Sequence, residues 1–218
     1  VAGQAVGGGS LKPTTGQQIE VGVKYKPTNY DALLTASLFE ITQDNVTAPT
    51  SDARYSEQAG QVKSKGLELE AKASLTKALD LTLAYTYMDT EITKANAAAS
   101  SGVVGNRLNF VPRHQAVAWA DYTVQSGPLA SLGIGAGVRY RSNVYGALSN
   151  ADATKTHGFT VFDAAVRYDL GQVGLKGADV SVNIDNVFDK KYVASCLSAN
   201  ACYWGTERTV YANLRYRW

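Results

Sequence analysis

The chain has 218 residues, of which 45% are hydrophobic and 18% charged, and its formal net charge is +2. Acidic and basic residues are interspersed, so no basic stripe exists to neutralise a phosphate backbone, which excludes nucleic acid as the expected partner. No run of eighteen apolar residues occurs, which excludes a transmembrane helix but not a membrane strand, for which about nine to eleven alternating residues suffice.

Residues 1–10 are Gly-rich and uncharged, without the pattern of a secretory leader, so a mature chain or a piece of a longer one is expected. From Gln17 a strand pattern begins, with Ile19, Val21, Val23 and Tyr25 on one face and Gln18, Glu20, Gly22 and Lys24 on the other. A turn over 26–29 leads to a return strand over 32–43. There Leu34, Ala36 and Leu38 share one face and Leu33, Phe39 and Ile41 the other, so period two alone leaves the lipid face open. A polar loop over 44–58 carries turn chemistry without periodicity.

The third strand alternates Leu67, Leu69, Ala71, Ala73 and Leu75 against Glu68, Glu70, Lys72 and Ser74. After a tight turn at 76–78, the fourth sets Leu79, Leu81, Leu83, Tyr85 and Tyr87 against Asp80, Thr82, Ala84, Thr86 and Met88. A long loop over 93–112 follows, then a fifth strand over 113–123 with a mixed pattern and a turn over 125–128. The sixth strand opposes Leu132, Ile134, Ala136, Val138 and Tyr140 to Gly133, Gly135, Gly137, Arg139 and Arg141. After a loop over 143–158, the seventh places Thr160, Phe162, Ala164, Val166 and Tyr168 on its apolar side. A turn over 170–178, an eighth strand over 180–188 and the loop holding both cysteines lead to a ninth strand over 208–218. Its apolar face, Val210, Ala212, Leu214, Tyr216 and Trp218, ends in aromatics.

Strands that are oily on one face and charged on the other, with aromatics at the margins, fit a wall between lipid and water. All five prolines fall in the turns and loops. Short connections follow the odd strands and long ones the even strands, which is the asymmetry of outer-membrane barrels. The expected class is all-β, an antiparallel transmembrane β-barrel segment. Nine strands are an odd number, and an open sheet edge in lipid leaves backbone groups unsatisfied. The chain is therefore expected to be the C-terminal part of a larger barrel, 1–218, with 1–16 the remnant of an outer loop.

Several motifs converge. The run from Gly60 to Glu70, Asn106-Arg107 with Pro112-Arg113-His114, Phe162-Asp163, and Asn183 through Tyr192 resemble the barrel of TonB-dependent siderophore receptors. Cys196 and Cys202 with Tyr203-Trp204-Gly205 resemble the last outer loop of its ferric hydroxamate branch, the ferrichrome and ferrioxamine receptors. The resemblance implies about nine strands of a barrel of roughly 22, whose lumen is filled by an N-terminal plug absent from this sequence. It also implies an outer-membrane transporter taking up a ferric siderophore with energy from the TonB-ExbB-ExbD complex. No cofactor is implied, because the siderophore carries the iron. Outer-membrane lipid is a further partner, and phage or bacteriocins are others that the loops would meet. A passive channel or a docking site without siderophore transport is the alternative.

Cys196 and Cys202, with five residues between them, either close a small loop in an oxidising compartment or remain two thiols. Within the resemblance, Leu197, Tyr203 and Trp204 are the candidate ligand-binding residues; Leu197 stands where the family has an aromatic, and Trp218 where it has a phenylalanine. Tyr203 and Trp204 offer contact area that costs little entropy to order, or else pack on the cysteines or join an aromatic belt. His114 and His157 lack converging carboxylates or thiolates, so no metal site is expected. Gly133-Ile134-Gly135-Ala136-Gly137 has no helix after it and reads as small residues toward the lumen rather than a nucleotide loop. Glu68, Glu70, Lys72, Arg139, Asp163 and Arg167 are lumen charges that either meet a plug or are solvated. No serine is placed beside a histidine by strand face and height, so an enzyme is not expected.

Overall fold

A computed structural model describes residues 4–5, 10–49, 55–95 and 104–218. Among these, one antiparallel meander runs β1 (Thr15–Tyr25), β2 (Asp31–Asp44), β3 (Tyr55–Ser74), β4 (Leu79–Ala95), β5 (His114–Thr123), β6 (Gly133–Arg141), β7 (Phe159–Asp169), β8 (Ala178–Asp185) and β9 (Thr209–Tyr216). Each pairs with its neighbours in sequence, and β1 and β9 are the sheet's edges.

Register settles which side of each strand is oily, because residues directly opposite one another share a face. Tyr25 lies opposite Leu34, Leu34 opposite Ala71, Ala71 opposite Leu83, Leu83 opposite Ala118, Ala118 opposite Val138, and Val138 opposite Phe162. Ala164, Ile184 and Val210 continue the face to β9. The two strands that periodicity left ambiguous are thereby resolved. Leu34, Ala36 and Leu38 of β2 and Ala116, Ala118, Ala120 and Tyr122 of β5 join the apolar face, whereas Phe39 and Trp119 lie on the polar one. The apolar face is uncovered: Leu214 is 73% exposed and Val21 69%. A continuous apolar surface of this kind requires lipid rather than water.

Aromatic side chains bound that face. Tyr25, Tyr122, Tyr168 and Tyr216 stand at the ends of β1, β5, β7 and β9 on the side of the short turns. Toward the long loops stand Tyr85 and Tyr87, Tyr140, and Phe162, the last packed edge-on against Phe188 with ring centroids 5.4 Å apart. The amphipathic tyrosines suit the two interfaces of a bilayer. Beyond the second belt the same face turns charged, with Lys65 3.3 Å from Glu40 and Arg113 2.7 Å from Asp89. The oily band therefore ends there.

At the long-loop end the strands run on past the belt, since β3 has 20 residues and β4 has 17. Part of the stretch read as loop over 44–58 is thus strand: Thr47–Pro49 pairs antiparallel with β3, and β3 begins at Tyr55. β4 likewise continues through Ala95, while 96–103 lie outside the described residues. Of the tail read over 1–16, Gln4–Ala5 pairs in parallel with β3 and Thr15 already opens β1; 1–3 and 6–9 lie outside the described residues. Beyond the membrane the outer face is charged and the inner face lies under folded loops, so the oily-outside alternation fades and backbone pairing marks the element.

The buried core sits on the polar side of these extensions. Val62 and Ile92 are 0% exposed and Leu148 1%, with Val46 and Leu108 packed against them. The long loops therefore fold inward over the mouth. Burying each such side chain contributes roughly 1.5–3 kcal/mol, which holds loops that lie outside the sheet.

Candidate ligand-binding site

The loop between β8 and β9 is built on Asn186. Its backbone has a φ of 52°, a left-handed conformation that Asn tolerates. Its side-chain Nδ2 donates to the carbonyls of Lys190 (2.9 Å) and Thr206 (3.1 Å), and its Oδ1 accepts from Lys190 N (2.9 Å). Asp189 Oδ1 accepts the N–H of Arg208 at 2.9 Å. Together the two side chains tie the chain leaving β8 to the chain entering β9. The Arg208 amide, helped by the charges of Lys191 and Arg208, holds the Asp189 carboxyl below the usual carboxylate range. An ion pair with Glu207 raises Lys191.

From this root rises a hairpin, Val193–Ser198 paired with Ala201–Trp204. Cys196 and Cys202 lie directly opposite each other and form a disulfide. Tyr203 pairs with Ser195 and Trp204 with Val193. The three candidate ligand residues therefore share one hairpin. Tyr203 is 58% exposed and Trp204 70%, while Leu197 is half-buried.

The hairpin rests on the loop over 142–158. Gly146 abuts the Cys196 carbonyl so closely that a Cβ there would overlap it. That loop is clamped to residues 104–113. Asn150 Oδ1 accepts Arg107 N (2.7 Å), and Asn150 Nδ2 donates back to the Arg107 carbonyl (2.9 Å). Asn106 Nδ2 donates to Leu148 O (2.9 Å), and Phe110 N to Tyr145 O (2.7 Å). Burial in this clamp, with Arg113 nearby, lowers the Arg107 pKa from its ordinary value. Three long loops are thus joined by direct contacts.

Of the other residues singled out in the sequence, His114, Arg139, Asp163 and Arg167 have structural partners. His114 Nδ1 bonds Tyr85 Oη at 2.9 Å in the outer belt, and His157 is exposed in the loop over 142–158. On the lumen face, Arg139 grips Asp163 through two bonds (2.5 and 2.8 Å), and Asp163 also accepts Asn186 N (2.9 Å). Arg167 reaches from β7 across β6 to Asp121 on β5 and bonds Thr123 Oγ1 at 3.0 Å. Glu68, Glu70 and Lys72 are exposed. The glycines of β6 have a specific use: Arg167 lies over Gly133, and the indole of Trp119 lies over Gly135 and Gly137. They make room for neighbouring strands' side chains lying flat on the wall. An apolar depression over Ala36, Ala71 and Ala116 lies on the lipid side, away from the hairpin.

Sequence reasoning missed Arg141, Gly146 and Asn150. Gly146 and Asn150 lie in a loop without periodicity, and only the Asn186 motif carried a local signal.

The family described as TonB dependent receptor-like, beta-barrel, matches residues 1–187. The chain belongs to that family. This receptor barrel, like its family, is an outer-membrane protein, and the family is one of receptors rather than enzymes. It is 39% identical over 211 residues to the ferrichrome outer membrane transporter/phage receptor of Escherichia coli strain K12, covering 96% of this chain and 27% of that protein. It is 36% identical over 212 residues to the ferrioxamine B receptor of Salmonella typhimurium, covering 96% and 29%. The chain thus spans less than a third of the length of these curated relatives. Among solved structures, the siderophore receptor PiuA from Acinetobacter baumannii superposes with a TM-score of 0.70 at 27% identity, covering 92% of this chain and 28% of that one. The ferric-catecholate import receptor Fiu from E. coli K12 gives a TM-score of 0.70 at 25% identity, over 94% and 28%.

Proposed function

We propose that this chain forms the C-terminal part of the barrel of an outer-membrane receptor that takes up a ferric siderophore of the hydroxamate class, driven by the TonB-ExbB-ExbD complex. In this reading the long loops face outward and the short turns face the periplasm. One observation carries the proposal: Tyr203 and Trp204 are exposed on a disulfide-closed hairpin at the long-loop mouth of a lipid-facing wall. The siderophore's oxygens hold the iron, so the protein meets an organic shell. Tyr203, Trp204 and Leu197 supply contact area there, and the disulfide limits the entropy lost on binding. The names of the ferrichrome and ferrioxamine relatives support the ligand class. The name of the E. coli relative also supports a second use of the same loops as a phage docking surface.

The test is titration of the purified complete receptor with ferric ferrichrome and ferric ferrioxamine B, followed by tryptophan fluorescence. Saturable quenching that weakens in Trp204→Ala is expected. No change with either ligand would overturn the ligand class.

A further inference from the structure

Arg141, the last residue of β6, lies on the lumen face opposite Gln115 and Phe159. Its Nη2 donates to the carbonyl of Ala194, in the first strand of the disulfide hairpin, at 2.5 Å. Its guanidinium sits 4.8 Å from the centroid of the Phe159 ring. Phe159 in turn stacks on Tyr192 with centroids 4.0 Å apart, and Tyr192 fills the space that a side chain at Gly205 would occupy. Gly205 N also donates to Tyr192 O at 2.7 Å. One column, Arg141–Phe159–Tyr192–Gly205, therefore connects the barrel wall to both sides of the hairpin, since Gly205 directly follows Trp204.

The chemistry of the column is unusual for packing alone. Among the described residues Arg141 has no carboxylate partner, and its Nε is buried without a hydrogen bond. A charge placed this way is costly, and an apolar side chain of similar volume would hold the stack at less cost. Only an arginine, however, presents a planar cation that stacks on a ring while donating in its own plane to a backbone carbonyl. That combination fixes both the height and the tilt of the hairpin.

We infer that Arg141 is a positioning residue for ligand recognition, holding the disulfide hairpin so that Tyr203 and Trp204 present to the siderophore. This rests on the proposed ligand reading, and its test separates the two. In the complete receptor, Arg141→Met and Arg141→Lys are compared with Arg215→Met, which removes an arginine paired with Asp179 far from the hairpin. Two readouts are taken: the ligand-free emission of Trp204, isolated by difference from matching Trp204→Phe receptors, and the dissociation constant for ferric ferrichrome. A shifted Trp204 emission is expected in both Arg141 variants and not in Arg215→Met. An affinity loss of about tenfold is expected alongside, with lysine failing to rescue because it cannot stack and donate in one plane. In a Cys196→Ser/Cys202→Ser background the Arg141 effect should shrink, since a loosened hairpin cannot be aimed. Unchanged emission in Arg141→Met, or full rescue by lysine, overturns the inference. A wild-type receptor that binds no ferric hydroxamate removes the ligand reading, and the ligand-free emission then still decides whether Arg141 sets the hairpin.

Discussion

Trp119 on β5 lies flat against Gly137, its register partner on β6, so that a Cβ at Gly137 would overlap the indole. The same ring covers Gly135, one pleat further along the same face. Gly137→Ala is therefore expected to destabilise the barrel by about 1–3 kcal/mol through overpacking. Urea unfolding in bilayers measures it, and adding Trp119→Val to the same protein should recover most of the loss. An unchanged midpoint would mean the ring is free to lift away.

Asn186 joins a left-handed backbone to three side-chain hydrogen bonds at a position 2% exposed. Asn186→Ala forfeits the bonds, strands the carbonyls of Lys190 and Thr206, and adds conformational strain; a cost of about 2–3 kcal/mol is expected. Asn186→Gly relieves the strain alone and should fall between alanine and wild type. Unfolding midpoints of the three proteins give the order, and equal midpoints for alanine and glycine would show that strain contributes nothing.

How far all this could be read from the chain depends on which solvent each residue meets. Strands such as β3, with Leu67, Leu69 and Ala71 against Glu68, Glu70 and Lys72, separate lipid from water residue by residue and declare themselves. β2 and β5 do not, because Phe39 and Trp119 are large apolar residues on the lumen side, lying over Gly66 and over Gly135 and Gly137. Only register, a property of neighbouring strands rather than of one segment, reveals which face is which. The spacing of Cys196 and Cys202 allowed a closed loop, and the resemblance around them named the hairpin's candidate residues. Its supports were not: Arg141, Gly146 and Asn150 act through contacts 43 to 53 residues away in sequence, as in Arg107–Asn150 and Arg141–Ala194.

The pH dependence of the β8–β9 loop follows from Asp189. Its folded pKa is depressed, chiefly by the hydrogen bond from Arg208 N, so its contribution is fully present above the unfolded value, near 4. It is lost as pH falls through the lower folded value. Hydrogen-exchange protection of the Arg208 amide, corrected for intrinsic rates, should be constant from pH 7 to about 5 and then drop on further acidification. Asp189→Asn should flatten that profile. Protection that falls instead between pH 5 and 7 would point to a different group.

Reducing the disulfide should separate ligand affinity from barrel stability. Cys196 and Cys202 close a loop with a sequence separation of 6, and chain entropy gives such a closure about 2 kcal/mol of order in the hairpin. The hairpin pairs with itself outside the main sheet and meets the wall only through side-chain contacts such as Arg141 to Ala194, so little of the disulfide's order is expected to reach the strand pairing. In Cys196→Ser/Cys202→Ser the free hairpin must be ordered by the ligand, which weakens binding by roughly ten- to thirtyfold if most of this entropy is recovered on association. The urea midpoint of the barrel should stay within about 0.5 kcal/mol of wild type. Fluorescence titration and unfolding of the same preparation measure both. Loss of barrel stability without loss of affinity would place the hairpin's role in folding and take Tyr203 and Trp204 out of the ligand site.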